Sequence, residues 1–419
     1  MPVNRQLFIL LSLYVAQGLP IGFFTQAMPA IMRDAGVELR YIGLMSLLAL
    51  PWALKFLWAP LLDRYAVGSL PLRKGWILLA NGFAVTALLV LSTQTLSWWL
   101  SSGIVLTMLL LFSLNMFAAS QDISTDALAV ESVPAEQRGW INGVQVSGYR
   151  IGMIIGGGAI LAWLPVLGWQ KAMLLIAAIL LLASLPVLLS NGDKKPKSSN
   201  DSAAVDDSFI HQEPASEGVV ASWKGLFNRN GVWMWIGLLI IYKSGDAFGT
   251  AMLKPLMIDQ GYDLSDVAVI IGSWGVVAGL VGAIMGAFLV KPLGRIRALM
   301  VFAILQSLSL SLYGLYGMGW IPESGFIALC VIEHITGAMA TIGLFTVMMD
   351  YCREHHAGLD YSFQSCLVVI SGLIMGAISG FSVEALNYGW HFMIAAALTL
   401  FGMIWVYWQR KSISLEVSG

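Results

Sequence analysis

The chain has 419 residues, of which 58% are hydrophobic and only 11% are charged, and its net charge is −1. Soluble domains carry about a quarter charged residues, so this composition indicates a membrane protein. The balanced charge argues against nucleic acid or an acidic molecule as a partner. Three cysteines without a CxxC motif or a Cys/His cluster predict neither a disulfide framework nor a metal site.

Apolar segments long enough to span a bilayer recur twelve times, which predicts an all-α membrane protein with 12 transmembrane helices. The first segment follows Arg5 without a small-residue cleavage site, so we interpret it as a span and not as a removable signal. The predicted spans lie near 7–32, 40–62, 75–95, 99–130, 139–163, 170–190, 231–257, 266–290, 298–318, 324–349, 362–385 and 389–409.

The Lys and Arg residues are distributed unequally between the two sides of this predicted membrane. With a cytoplasmic N-terminus, sixteen of them fall on the cytoplasmic side and only Arg33, Arg40 and Lys171 on the other. The positive-inside rule therefore predicts a multi-pass protein with both termini in the cytoplasm.

The composition changes between the sixth and seventh spans, where residues 191–222 are rich in Ser, Asp and Lys without an apolar period. This stretch predicts a flexible cytoplasmic linker (191–225) between two six-helix bundles (1–190 and 226–419). The bundles show a weak repeat at an offset of 224, and glycines spaced four apart favour close helix contact. The repeat relates Gly148, Gly152 and Gly156 to Gly372, Gly376 and Gly380, Asp126 to Asp350, and Arg73 to Arg297.

Two carboxylates, Asp122 and Asp126, lie four residues apart in the fourth span and therefore project from one helix face. The polar turn at residues 134–138 joins the fourth and fifth spans. Counted inward from this turn, Asp122 and Arg150 of the fifth span both reach about 18 Å into the bilayer. Charges at that depth are costly unless they are paired or face water. This predicts an Asp122–Arg150 pair, which either lines a cavity or simply locks two helices together.

Polar residues also interrupt the first two spans. Gly18 and Pro20 break the first helix, which frees backbone groups near Tyr14 and Gln17 for a cavity. Lys55 of the second span either pairs with Asp122 or extends its ammonium toward the cytoplasm.

The C-terminal half has its own buried ionisable residues. Lys243 and Asp246 lie three apart on one face of the seventh span, where they either neutralise each other or contact solute and protons. Glu333 and His334 in the tenth span form a second candidate proton site, although a core histidine is commonly only hydrogen-bonded.

Four stretches resemble one branch of a known family, namely residues 50–65 (LPWALKFLWAPLLDRY), 120–131 (SQDISTDALAVE), 242–252 (YKSGDAFGTAM) and 333–350. They are similar to the AmpG-like branch of the major facilitator superfamily, which contains bacterial muropeptide permeases. Residues 144–158 and 348–364 resemble more closely the branch's single-protein siderophore importers of the RhtX/FptX type. The resemblance implies a solute site between two six-helix halves in the bacterial inner membrane. It also implies a loop that braces the halves through Asp63, Arg64, Arg73 and Lys74.

The leading prediction is a monomeric, proton-coupled importer of an iron–siderophore complex that works by alternating access without a cofactor. A muropeptide permease is the alternative substrate hypothesis. Predicted pathway residues are Asp122, Arg150, Lys243, Asp246, Glu333, His334, Tyr14 and Gln17, and predicted gating residues are Lys55, Asp63, Arg64, Asp126 and Asp350. The missing GxxxxGK[ST] motif argues against a nucleotide-driven pump. A membrane-embedded acyltransferase is disfavoured because its HxxxxD pattern rests on His355 and Asp360 alone.

Overall fold

The computed structural model describes residues 3–28, 31–32, 50–134, 137–190, 218–262, 266 and 268–417, and the regular structure in these ranges is helical. Residues 40–49 of the predicted second span lie outside the described residues. The same holds for residues 191–217 of the predicted linker. A short helix from Val219 to Phe227 covers the last residues assigned to that linker.

One compact unit (unit 1) contains Met1–Val133, Val144–Ser222 and Cys352–Phe363. A core of apolar side chains, including Phe23, Leu114 and Ile176, fills its interior. Its described helices are α1 (Val3–Gly22), α2 (Leu50–Leu54), α3 (Ala59–Arg64), α4 (Leu72–Leu91), α5 (Leu96–Leu100), α6 (Ile104–Ser132), most of α7 (Arg138–Met153) and α8 (Ile160–Leu188).

A second unit (unit 2) contains Pro134–Gly143, Trp223–Tyr351 and Gln364–Gly419. Phe248, Tyr313 and Phe392 belong to its buried apolar core. Its described helices are most of α9 (Val219–Phe227), α10 (Val232–Tyr242), α11 (Ser244–Thr250), α12 (Leu253–Asp259), α13 (Val276–Leu293), α14 (Arg295–Gly317), α15 (Phe326–Asp350) and most of α16 (Ala357–Val417).

Eight helical segments of the described residues are long and apolar enough to cross a membrane. Two of them, Arg138–Leu188 and Ala357–Trp408, have 51 and 52 residues, whereas one span needs about 20. Each is interrupted by a residue with left-handed backbone, Gly168 (φ 71°) in the first and Asn387 (φ 69°) in the second. Each long segment therefore has room for two spans, which is consistent with the twelve that the sequence predicts.

Several predicted spans are irregular helices. The first passes from α1 into a π-helix, Phe23–Ala27, directly after Gly22, and the seventh is divided into α10, α11 and α12. Lys243 separates α10 from α11 with φ −100° and ψ 0°. Such breaks free backbone groups and set polar side chains at membrane depth, so they mark where a site can form.

The glycine triplets of the predicted repeat differ in how closely they are packed. A Cβ atom on Gly152 would overlap the Val15 carbonyl oxygen, and one on Gly156 would overlap the Leu19 carbonyl oxygen. Spans one and five thus meet backbone to backbone, and the glycines spaced four apart provide the close contact that their spacing favours. In unit 2, a Cβ on Gly376 would lie an ordinary 3.8 Å from the Ala251 Cβ.

We expect Gly152→Ala to destabilise the protein by about 1–3 kcal/mol, the usual cost of overpacking, because the added methyl group meets backbone. The matched change Gly376→Ala should be nearly neutral. Thermal unfolding of the two purified variants in the same detergent measures the difference. Equal midpoints would contradict the close contact between spans one and five.

Candidate functional site

Six polar residues inside unit 1 form one connected group, which we call the acid–lysine cluster. It consists of Tyr14, Gln17, Lys55, Asp122, Asp126 and Gln145. A helix break places Lys55, which begins a 3₁₀ turn after α2. Gln17 lies within α1, which runs through Gly18 and Pro20 to Gly22 without the predicted break. Asp122 and Asp126 project from one face of α6, as predicted.

Asp122 is held by two donors, one on each carboxylate oxygen. The Gln17 amide donates to Oδ1 and the Lys55 ammonium to Oδ2. Lys55 is only 5% exposed and Asp122 only 6%, so neither charge is solvated by bulk water. Of the two alternatives for Lys55, the structure therefore shows pairing with Asp122.

Asp126 lies one turn further along α6 and accepts two hydrogen bonds on Oδ1. The Tyr14 hydroxyl donates at 3.1 Å and the Gln145 amide at 2.9 Å. The Lys55 ammonium lies 4.0 Å from Oδ2, so one lysine serves both carboxylates. The cluster thus contains two buried acids and one buried base.

Arg150 was predicted to be the basic partner of Asp122, but the ion pair that the structure describes for Asp122 is with Lys55. Arg150 lies in the last turn of α7 and is half-buried. Equal depth in the membrane does not define a pair, because the direction of each side chain around its helix also matters. The 3₁₀ turn at Lys55 directs its side chain toward Asp122.

Unit 2 contains a second group of connected polar residues, some buried and some half-buried, which we call the unit 2 cluster. Its members are Lys243, Asp246, Gln306, Glu333, His334 and Thr336. The Lys243 ammonium and the Asp246 carboxylate form the predicted intrahelical pair at 2.6 Å. Their side chains are 15% and 17% exposed, so this pair is reached by solvent.

Gln306 of α14 joins the two acids of the unit 2 cluster. Its amide nitrogen lies 2.6 Å from Asp246 Oδ1 and 3.2 Å from Glu333 Oε1. Its carbonyl oxygen accepts from the Thr336 hydroxyl at 2.6 Å, which fixes the amide orientation. His334 Nδ1 lies 2.8 Å from Glu333 Oε2, so the side chains of these two adjacent residues contact each other.

The predicted gating residue Asp63 lies at the end of α3 in a network of charges. Its carboxylate is 2.7 Å from the Arg73 guanidinium, which also binds Glu131 at 2.5 and 3.0 Å. Asp63 further accepts the backbone N–H groups of Gly358 and Leu359 at 3.1 and 2.8 Å. It therefore caps the start of α16, where a negative charge is favourable. Arg64, the next residue, is half-buried.

Asp350 ends α15 and binds two arginines. Arg138 lies 2.7 Å from Oδ1 and Arg295 lies 2.6 Å from Oδ2. By its contacts Asp350 corresponds to Glu131, since each binds an arginine from the start of the preceding long helix. The predicted repeat instead aligned Asp350 with Asp126, whose partners are of a different kind.

The HxxxxD pattern does not form a catalytic pair of the predicted kind. The Asp360 carboxylate is fully buried and binds the Arg353 guanidinium at 2.6 and 2.9 Å. His355 is 44% exposed and has left-handed backbone with φ 59°. Asp360 thus serves as a structural anchor for its own loop.

The sequence profile of the Major Facilitator Superfamily matches residues 10–363. This range includes every residue of both polar clusters. The chain belongs to the Major Facilitator Superfamily. Members of this superfamily are transporters, so the chain is a multi-pass membrane transporter of a small solute and not an enzyme, as the sequence predicted.

Relatives in this superfamily include muropeptide permeases. The anhydromuropeptide permease of Escherichia coli (strain K12) is 31% identical over 97% of this chain and 80% of its own length. A putative transporter AmpG 4 of Rickettsia felis is 24% identical over 98% of each chain. These similarities confirm the predicted AmpG-like relationship.

Solved structures of the superfamily share the fold. FucP in its outward conformation covers 96% of this chain and 98% of its own, with a TM-score of 0.69 at 15% identity. A bacterial homologue of the iron transporter ferroportin covers 97% and 99%, with a TM-score of 0.68 at 15% identity. The predicted superfamily fold is therefore confirmed, and at this identity the likeness concerns the fold alone.

Removing Lys55 tests the acid–lysine cluster. Lys55→Met removes the ammonium that both buried carboxylates share, which costs about 3–5 kcal/mol and should greatly reduce the yield of folded protein. The double variant Lys55→Met/Asp122→Leu replaces the pair by apolar side chains and should recover most of that yield. Size-exclusion chromatography of each variant measures it. Folded protein at the wild-type level from Lys55→Met alone would contradict the pairing.

Proposed function

We propose that this chain imports an anhydromuropeptide-type solute across the bacterial inner membrane, coupled to protons and with both termini in the cytoplasm. The solute class rests on the 31% identity to a named permease over almost the whole chain. The related muropeptide permeases favour this substrate over the iron–siderophore complex that was the leading sequence prediction. Import of an iron–siderophore complex is the alternative hypothesis, and the uptake experiment below tests both substrates.

The observation that supports proton coupling is that Asp122 and Asp126 share the single ammonium of Lys55. With both acids ionised, the buried cluster has one negative charge in excess. Excess charge at membrane depth is expensive, and binding one proton removes it. We therefore assign Asp126, the acid further from Lys55, as the proton site and Asp122 as the permanent partner of the lysine.

Protonation then changes the balance between transporter states. A ligand shifts a conformational equilibrium only by its difference in affinity for the two states, and a proton obeys the same rule. Neutral Asp126 attracts Lys55 less than the ionised acid does. The state that separates Asp126 from Lys55 therefore gains stability when the proton binds.

The unit 2 cluster is our candidate for solute contact. Lys243 and Asp246 are partly exposed and neutralise each other, so a polar solute can exchange with either partner at small electrostatic cost. Muropeptides carry amide, hydroxyl and carboxylate groups, for which an ammonium, an amide and carboxylates are suitable partners. Glu333, at 4% exposure, lies behind this pair and supports it through Gln306.

Uptake of a labelled anhydromuropeptide by cells that lack their own permease tests the proposal. We expect uptake that a protonophore abolishes, and a loss of about tenfold or more in Asp126→Asn, equivalent to at least about 1.4 kcal/mol. The control Glu354→Gln removes a charge whose side chain is 90% exposed and should leave uptake unchanged.

Two results would contradict parts of the proposal separately. Wild-type uptake in Asp126→Asn would remove this acid from the coupling mechanism. Uptake of a labelled ferric siderophore, with none of the anhydromuropeptide, would favour the alternative substrate while leaving the proton site in place.

A further inference from the structure

A short segment from the C-terminal part of the chain, Cys352–Phe363, belongs to unit 1 by its contacts. Asp63 caps its backbone at Gly358 and Leu359. A Cβ on Gly358 would overlap the Asp63 carboxylate, so the two approach as closely as glycine allows. We call Cys352–Phe363 the docked segment.

Two further contacts attach the docked segment to unit 1. The rings of Phe56 and Phe363 meet edge to face with centroids 6.0 Å apart, and Phe56 follows Lys55 directly in the chain. The Arg353 guanidinium donates to the Ser222 carbonyl at 3.1 Å. None of these contacts involves the acids of the acid–lysine cluster.

One more contact of the docked segment reaches the acid–lysine cluster. The Tyr361 hydroxyl is buried and donates to the Gln145 carbonyl oxygen at 3.3 Å. The amide nitrogen of the same Gln145 donates to Asp126 Oδ1 at 2.9 Å. An uninterrupted chain of hydrogen bonds thus links the docked segment to the acid.

We propose that Gln145 and Tyr361 couple the protonation of Asp126 to the docking of the segment Cys352–Phe363 on unit 1. The proposal rests on the assignment of Asp126 as the proton site under Proposed function. Gln145 and Tyr361 are positioning residues here, because they act through Asp126 and need not touch the solute.

The chemistry of the amide explains the coupling. An ionised carboxylate only accepts hydrogen bonds, so Asp126 holds the NH₂ group of Gln145 and turns the carbonyl toward Tyr361. A proton on Oδ1 makes the acid a donor, which prefers the carbonyl of Gln145. The amide then turns, its NH₂ group faces Tyr361, and the hydrogen bond from the Tyr361 hydroxyl to the Gln145 carbonyl is lost, which weakens this attachment of the docked segment.

Other ionisable groups face the same region. Asp126 is surrounded by Tyr14, Lys55 and Asp122, and Tyr361 lies near both acids and Cys352. The docked segment also meets the Asp63 carboxyl group and contains the Arg353–Asp360 pair. A change of pH acts on several of these groups together, so substitution is the cleaner way to neutralise Asp126 alone.

Cys352 at the start of the docked segment provides a natural probe. It is half-buried, whereas Cys330 and Cys366 are fully buried. Maleimide labelling of the purified full-length protein, quantified for the Cys352 peptide by mass spectrometry, therefore reports undocking. We expect Asp126→Asn and Tyr361→Phe each to raise the labelling rate about fivefold, and the double variant to match the single ones, because they interrupt one chain.

The control is Tyr388→Phe, which removes a tyrosine hydroxyl that donates to Asp259 in unit 2 and should leave Cys352 labelling unchanged. Should Asp126→Asn not fold, Gln145→Leu replaces it in the same comparison. Unchanged labelling in Tyr361→Phe, or single effects that multiply in the double variant, would overturn the proposal. The labelling experiment uses no solute. Its result can therefore be interpreted even if the chain does not take up the anhydromuropeptide.

Discussion

The sharing of one buried ammonium between two buried carboxylates is the constraint on which the rest of unit 1 depends. Lys55 reaches both Asp122 and Asp126 because α2 ends in a 3₁₀ turn at that residue. Each charge would be costly in lipid on its own, and two acids with one base are never fully neutral without a proton. The neutral donors Tyr14, Gln17 and Gln145 offset part of that cost by saturating the carboxylate oxygens.

Packing holds this arrangement in place. The contact of spans one and five is so close at Gly152 and Gly156 that even a methyl group would meet backbone. This close packing sets the position of Tyr14 and Gln17 on the first span relative to the fifth. A separate network of charges lies at the end of α3, where Asp63 binds both Arg73 and the start of α16.

The two halves of the chain use a common plan with different chemistry. In each, an arginine from the start of a long helix binds an acid near the end of the next, as Arg73 binds Glu131 and Arg295 binds Asp350. The buried clusters differ, since Lys55 is nearly inaccessible whereas Lys243 is reached by solvent. That difference is the basis for assigning proton coupling to unit 1 and solute contact to unit 2.

The sequence alone determined the class of the protein, because apolar length and sparse charge leave a membrane as the only suitable solvent. It also predicted most of the ionisable residues of both clusters, since a charge within an apolar segment is conspicuous. It could not choose the partner of Asp122, because depth follows from residue counting but direction around a helix changes at breaks such as the one at Lys55. Gln145, Gln306 and Tyr361 were missed, because neutral polar side chains are common in spans and only tertiary packing shows which of them complete a network of buried charges.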